Sequence, residues 1–136
     1  MFYTKLTTEI VDKGDYNLFG IMLVDDERHF IDELEDMIKG ELPFTILGNC
    51  FNGVAALSAV RDLNPDVLIT DVLMPGMSGL ELARKIRAMK PDLPIILMCD
   101  NPSYAVNGYE LGVSGFLLKP LAKDKVHETL NRLLCV

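Results

Sequence analysis

Apolar stretches and helix-like segments alternate along most of this chain. Five runs of four to seven mostly apolar residues have the length and pattern of strands that are buried on both faces. They are residues 18–24, 44–50, 67–70, 94–98 and 115–118. The segments after them repeat apolar side chains three or four residues apart, which is the spacing of one helix face. They are residues 28–39, 53–63, 79–89, 102–111 and 121–134.

This alternation predicts a parallel sheet that is covered by helices on both sides. Five such units at this length favour an α/β, flavodoxin-like (βα)5 three-layer sandwich, with a five-stranded parallel sheet of order 2-1-3-4-5. In its first helix, the apolar face consists of Phe30, Leu34, Met37 and Ile38. The pattern defines one domain, residues 18–136. Residues 1–17 precede it as an extension of unknown structure, which is an extra strand, a disordered tail or a segment added to the natural chain.

Composition narrows the class of protein. With 136 residues, 49% of them hydrophobic and 24% charged, the chain suits one folded globular domain. Its net charge of -7 argues against sequence-independent binding to nucleic acid, which requires a basic surface.

The sequence also predicts a cytoplasmic location. The three cysteines, Cys50, Cys99 and Cys135, are widely spaced and form no CxxC pair, which is typical of a reducing compartment. The first 17 residues lack the apolar core of a signal peptide, and no apolar run is long enough to cross a membrane.

Chemically active side chains follow four of the predicted strands. They are Asp25 and Asp26 with Glu27 after the first strand, Asp71 after the third, Cys99 with Asp100 and Asn101 after the fourth, and Lys119 with Pro120 after the fifth. In a sheet of this order, ligands bind at the carboxyl ends of the strands. We therefore expect these side chains to converge on one site.

Three neighbouring carboxylates would repel one another and raise each other's pKa values unless a cation lay between them. Mg²⁺ prefers such oxygen ligands and keeps several waters. Taken alone, Asp25, Asp26 and Glu27 could simply form the N-cap and first turn of the following helix, where acidic residues are favoured. The second acid after a neighbouring strand, Asp71, favours a metal site.

Asp71 and Lys119 each have a plainer interpretation, as a loop acid among turn residues and as a solvated lysine before a helix-starting proline. Because both residues follow strands of the same sheet, we favour a functional role for them over these plainer interpretations. A carboxylate can act as a nucleophile and form an acyl phosphate, if positive charge neutralises the phosphoryl oxygens. Lys119 and Mg²⁺ would supply that charge, with Lys119 held by a tight X-Pro bond of the kind that can be cis.

Three motifs together resemble the receiver domains of bacterial two-component response regulators. They are IMLVDDE at 21–27, DVLMPGMSG at 71–79 and FLLKP at 116–120, and the resemblance runs from about Gly20 to the C-terminus. It implies that Asp71 is the phosphoacceptor and that Mg²⁺ is the cofactor. The metal ligands would be Asp71, Asp26 directly, Asp25 mainly through water, and the backbone carbonyl of Leu73. Lys119 would pair with the acceptor and later with the phosphoryl group.

Two switch positions depart from the pattern of this family. Cys99 stands where the family has a Thr or Ser hydroxyl that bonds the phosphoryl group, and Phe116 stands where Tyr is common. The segment YAVNGYEL at 104–111, followed by FLLKP, is similar to receivers fused to LytTR-type DNA-binding domains.

The resemblance implies a signalling switch rather than an enzyme. A sensor histidine kinase would phosphorylate it, and an output domain or a downstream protein would read its state. Receivers commonly form homodimers through a face that spans Pro102 to Leu134 here. The alternative function is a pseudo-receiver, a phosphate-independent interaction module, which only Cys99 favours. A flavin- or nucleotide-binding domain is disfavoured, because the acids after the first strand would repel a phosphate group. A phosphatase with an aspartate nucleophile usually has a second acid two residues after the nucleophile, and that position is Leu73 here.

Overall fold

The computed structural model describes residues 4–5, 18–41 and 43–134. Its strands are β1 (Thr4–Lys5), β2 (Phe19–Val24), β3 (Phe44–Cys50), β4 (Val67–Asp71), β5 (Ile95–Cys99) and β6 (Gly115–Leu118). Its helices are α1 (Arg28–Ile38), α2 (Gly53–Leu63), α3 (Gly79–Met89), α4 (Tyr104–Glu110) and α5 (Lys123–Leu134). All ten predicted elements are present, and their ends differ from the prediction by at most two residues. Cys135 lies outside the described residues.

The sheet has the predicted order, with one additional strand. Neighbouring strands run β1-β3-β2-β4-β5-β6, so the five parallel strands have the flavodoxin-like order 2-1-3-4-5. The predicted set of five parallel strands is confirmed, and β1 pairs antiparallel with β3 as a sixth strand outside that set. This part of the N-terminal extension covers backbone groups of β3 that would otherwise form an open sheet edge. The rest of the extension lies outside the described residues.

Two apolar layers hold the helices against the sheet. Alternate residues of β2 face opposite sides, as in any strand. Ile21 and Leu23 pack in the layer under α1 and α5, whereas Met22 and Val24 pack in the layer under α2 and α3. Because both faces are covered, β5 is apolar along its whole length and β4 is apolar as far as Ile69. Within the described residues, none of the helices has the length and apolar character needed to cross a bilayer.

The buried face of α1 differs slightly from the predicted one. Its fully buried residues are Ile31, Leu34 and Ile38, whereas Phe30 and Met37 are half-buried at the margin. The prediction missed Ile31 because an apolar stripe is wider than one row of residues at positions i, i+4 and i+7. Phe30 is therefore only partly covered by the core, and it lies in the first turn of the helix, close to the end of β2.

The start of α3 packs closely against the end of β4. A Cβ atom at Gly79 would lie 2.0 Å from the backbone oxygen of Asp71, so only glycine fits there. The backbone N–H of Gly79 donates to the Val72 carbonyl at 2.8 Å. Ser78 caps the helix by accepting a hydrogen bond from the N–H of Glu81. These contacts fix the loop that follows Asp71.

Candidate functional site

The predicted side chains converge at one end of the sheet. Parallel strands end on the same side, so the residues after β2, β4, β5 and β6 meet there. They surround an open cleft of about 460 Å³. Its lining residues are Asp26, Glu27, Phe30, Asp71, Leu73, Cys99, Asp100, Lys119 and Pro120. The structure thus brings together the predicted site residues except Phe116, with Asp25 buried close to the cleft.

Three carboxylates form a compact acidic cluster at this cleft. One oxygen each from Asp25, Asp26 and Asp71 lies within 4.8 Å of the others. Asp25 is fully buried and Asp71 is 6% exposed, whereas Asp26 faces solvent. Hard oxygen donors with one open side fit a divalent cation such as Mg²⁺, which retains waters. The residues present therefore fit the cofactor that the sequence predicts.

Asp25 is held by two hydrogen bonds that use both of its oxygens. Its Oδ1 accepts from the backbone N–H of Glu27 at 3.0 Å, and its Oδ2 accepts from Lys119 Nζ at 2.9 Å. Each oxygen of this buried carboxylate therefore has a hydrogen-bond donor, as buried polar groups require. Asp26 is the more open of the two adjacent acids.

Lys119 connects the two buried carboxylates. Its Nζ lies 2.9 Å from Asp25 Oδ2 and 3.2 Å from Asp71 Oδ1, and its side chain is only 10% exposed. Burial by itself would lower the pKa of this lysine, but the hydrogen bond and charge of Asp25, together with Asp71, raise it overall. The backbone N–H of Lys119 donates to the Cys99 carbonyl, and the following peptide bond to Pro120 is cis. The amine is therefore a fixed ammonium ion.

Asp71 is a carboxylate in an unfavourable setting. Burial raises its pKa to about 6, and the charge of Asp25 adds to the effect, while Lys119 partly offsets it. A cation bound between the acids would favour the ionised form instead. The site is thus arranged so that positive charge keeps Asp71 ionised.

The two switch residues of the prediction lie in different surroundings. Cys99 is buried at the end of β5, lines the cleft and has its Sγ 3.7 Å from Asp100 Oδ1. Burial raises the pKa of its thiol, so it is a neutral, weak donor. Phe116 pairs with Leu97 in the sheet and packs, half-buried, against the apolar layer that contains Cys99. It is not among the residues that line the cleft.

Sequence reasoning missed one contact in the site. The ring of Phe30 lies with its centroid 3.6 Å from Lys119 Nζ, although periodicity assigned this residue only to the apolar face of α1. The available signal was its position, in the first helical turn after the acid pair. Distance along the chain could not indicate the lysine, because that contact joins α1 to the end of β6.

Comparison with known proteins identifies the family. The family model of the response regulator receiver domain matches residues 21–131. The chain belongs to this family. The three receiver motifs of the sequence all lie within the matched region, and the strand order agrees with this assignment.

Relatives of this receiver domain include signalling regulators. The transcriptional regulatory protein BtsR of Salmonella typhi is 34% identical over 118 residues, which cover 85% of this chain and 48% of that protein. The sensory transduction protein LytT of Oceanobacillus iheyensis is 32% identical over 115 residues, which cover 83% of this chain and 47% of that protein. The receiver domain thus spans about half the length of these relatives.

A solved structure supports the same assignment. A DNA-binding response regulator of the LuxR family from Staphylococcus aureus matches this receiver domain with a TM-score of 0.78 at 28% identity. The match covers 85% of this chain and 98% of the solved chain.

Proposed function

We propose that this receiver domain is a phosphorylation-dependent switch that accepts a phosphoryl group on Asp71 from a sensor histidine kinase. The observation that carries the proposal is the contact of Asp71 Oδ1 with Lys119 Nζ, at 3.2 Å, beside two further acids in one cleft. A nucleophilic carboxylate, a fixed ammonium ion and a cation site are the groups that phosphoryl transfer to an aspartate requires.

The transfer itself is a displacement at phosphorus. An oxygen of Asp71 forms the new P–O bond, while the bond from phosphorus to the kinase histidine breaks and its nitrogen keeps the electron pair. The product is an acyl phosphate, whose oxygens would receive charge from the Lys119 ammonium. Asp25 holds that ammonium in place through its 2.9 Å contact. Mg²⁺, when held by Asp25, Asp26, Asp71 and the carbonyl of Leu73, supplies further positive charge to the transferred group.

The phosphoryl group would then alter the interaction face of the domain. In this proposal Cys99 and Phe116 are the switch residues, since they lie in adjacent strands that connect the cleft with the layer below α4. The face from Pro102 to Leu134 exposes apolar side chains at Val106, Tyr109 and Leu118, and it is the proposed homodimer surface.

The wider setting is also part of the proposal. Residues 18–136 would form the receiver domain of a cytoplasmic response regulator, with residues 1–17 as its extension. The named relatives are about twice as long, which supports a separate output domain or a downstream protein as the reader of its state. LytT supports a place in the LytTR-type subfamily. With a net charge of -7, this domain itself would not bind nucleic acid.

Labelling by a small phosphodonor tests the proposal. Incubation with acetyl phosphate and Mg²⁺ should add one phosphoryl group, detected by intact mass, and hydroxylamine should remove it because the product is an acyl phosphate. Asp71→Asn should abolish labelling, whereas Asp100→Asn, in the same cleft, should retain it. Labelling of the Asp71→Asn protein at the native rate would place the acceptor elsewhere.

The alternative function is a pseudo-receiver that acts without phosphate. The observation that favours it is Cys99, a neutral buried thiol at the position where the family has a hydroxyl. The same experiment separates the two functions, because a pseudo-receiver would stay unlabelled while binding Mg²⁺ or a partner with its fold intact.

A further inference from the structure

The aromatic ring of Phe30 contacts the ammonium group of Lys119 in the cleft. The Nζ atom of Lys119 lies over the Phe30 ring, 3.6 Å from its centroid. An ammonium ion is attracted to the negative face of an aromatic ring, and the attraction grows when the pair is shielded from water. Here the lysine side chain is only 10% exposed, so its ammonium group is largely shielded from water.

The ring completes the surroundings of the ammonium group. An ammonium ion has three N–H donors on a flexible stem. Asp25 Oδ2 and Asp71 Oδ1 take up two directions, at 2.9 and 3.2 Å. Phe30 provides a third contact, which leaves the amine little freedom to turn away from the carboxylates.

Phe30 is itself well placed to act as a wall of the cleft. It lies in the first turn of α1, lines the cleft and is half-buried rather than part of the core. The His29 ring packs beside it, with centroids 4.2 Å apart and planes tilted by 37°. A ring in this position limits the access of water to the ammonium group from that side.

We propose that Phe30 is a positioning residue, which holds the Lys119 ammonium against Asp71 and shields it from water. The inference rests on the proposed phosphoryl transfer to Asp71. A lysine already aimed at the acceptor meets the incoming phosphoryl oxygens without first ordering its long side chain. Without the ring, Lys119 would sample other rotamers, and labelling would slow although every carboxylate remained in place.

The test distinguishes the effect of the aromatic ring from the effect of filling the space with an apolar side chain. Phe30→Leu keeps an apolar side chain but removes the ring, whereas Phe30→Tyr keeps the ring. NMR of the Lys119 Cε–Hε group should show an upfield ring-current shift that is lost in Phe30→Leu and kept in Phe30→Tyr. The initial rate of labelling by acetyl phosphate should fall about three- to tenfold in Phe30→Leu and remain near native in Phe30→Tyr.

A control variant tests for general effects on α1. Met37→Leu changes another half-buried residue of the helix, away from the cleft, and should alter neither the lysine resonance nor the labelling rate. If Phe30→Leu folds poorly by circular dichroism, Phe30→Met takes its place with the same two expected results.

The outcomes distinguish this inference from the proposed function. Equal labelling rates in native protein, Phe30→Leu and Phe30→Tyr would overturn it, as would an equal loss in both variants, since that indicates packing alone. An unshifted lysine resonance in the native protein would also overturn it. If native protein is not labelled at all, the proposed function fails, while the lysine resonances still decide whether Phe30 positions Lys119.

Discussion

The ammonium of Lys119 and the carboxylate of Asp71 lie 3.2 Å apart, although β5 separates the strands that carry them. Both residues lie at the carboxyl ends of parallel strands, so their side chains meet above the end of β5. Asp25 pairs with the same lysine at 2.9 Å. Lys119 therefore bridges an acid of the cation cluster and the proposed acceptor before any phosphoryl group arrives.

Replacing this lysine should separate the chemistry from the response. In Lys119→Ala, acetyl phosphate should still label Asp71 at a reduced rate, because the acidic cluster and the nucleophile remain. Beryllofluoride should no longer shift the NMR signals of residues 115–118, because the bound group has lost its lysine partner. Lys123→Ala, which removes an exposed lysine, is the control. A native-like response in Lys119→Ala would count against a switching role.

The acidic cluster should bind Mg²⁺ weakly, through few protein ligands and several waters. Asp26 is its exposed member, so Asp26→Ala should remove most of the binding in a calorimetric titration. Asp100→Ala removes another acid of the cleft that is not part of the cluster, and it should bind nearly as native protein does. Equal affinity in native protein and Asp26→Ala would show that the metal assignment is wrong.

Asp71 should make the metal-free protein less stable at neutral pH. Its folded pKa of about 6 lies above the ordinary value of 3.8, so between these values the folded state binds more protons than the unfolded state. The free energy of unfolding therefore falls as pH rises through this window, and the loss is complete by pH 7. Asp71→Asn carries no charge, so it should be more stable than native protein at pH 7 by about 1 to 3 kcal/mol.

Urea denaturation in EDTA at pH 7 and at about pH 3 measures this difference. The advantage of Asp71→Asn should largely disappear at the lower pH, because the carboxyl of native protein is then mostly protonated in both the folded and the unfolded state. Asp32→Asn, on the exposed side of α1, should show little difference from native protein at either pH. An Asp71→Asn protein less stable than native at pH 7 would contradict the assigned direction.

Cys99 should weaken the response without blocking the chemistry. A thiol is a poorer donor to a phosphoryl oxygen than a hydroxyl, and the difference is on the order of 1 kcal/mol. A two-state switch moves only by the differential binding energy it receives, so the population shift should fall severalfold. With beryllofluoride, NMR shifts at residues 115–118 should decrease in the order Cys99→Thr, native protein, Cys99→Ala. If native protein and Cys99→Thr respond equally, the prediction is wrong. The thiol is then an adequate donor, or Cys99 only fills space at the end of β5.

Local pattern was sufficient for the elements and for the placement of most site residues. A strand such as β5 is apolar throughout because both faces of the sheet are covered, and the sequence shows that pattern directly. Once the strands are known, the parallel order places Asp25, Asp71, Cys99 and Lys119 at one edge. The proposed roles of these residues came from the motifs of the receiver family and remain to be tested.

Tertiary structure alone decided the contacts that join distant segments. It paired β1 with β3, because a sheet edge accepts any segment able to complete its hydrogen bonds, whatever its side chains. It set Lys119 closer to Asp25 than to Asp71, and it placed Phe30 over the same lysine. Periodicity tells which face of α1 is apolar, but not how the helix is rotated against the sheet. That rotation depends on the packing of whole side chains between two elements, which no local spacing in the sequence records.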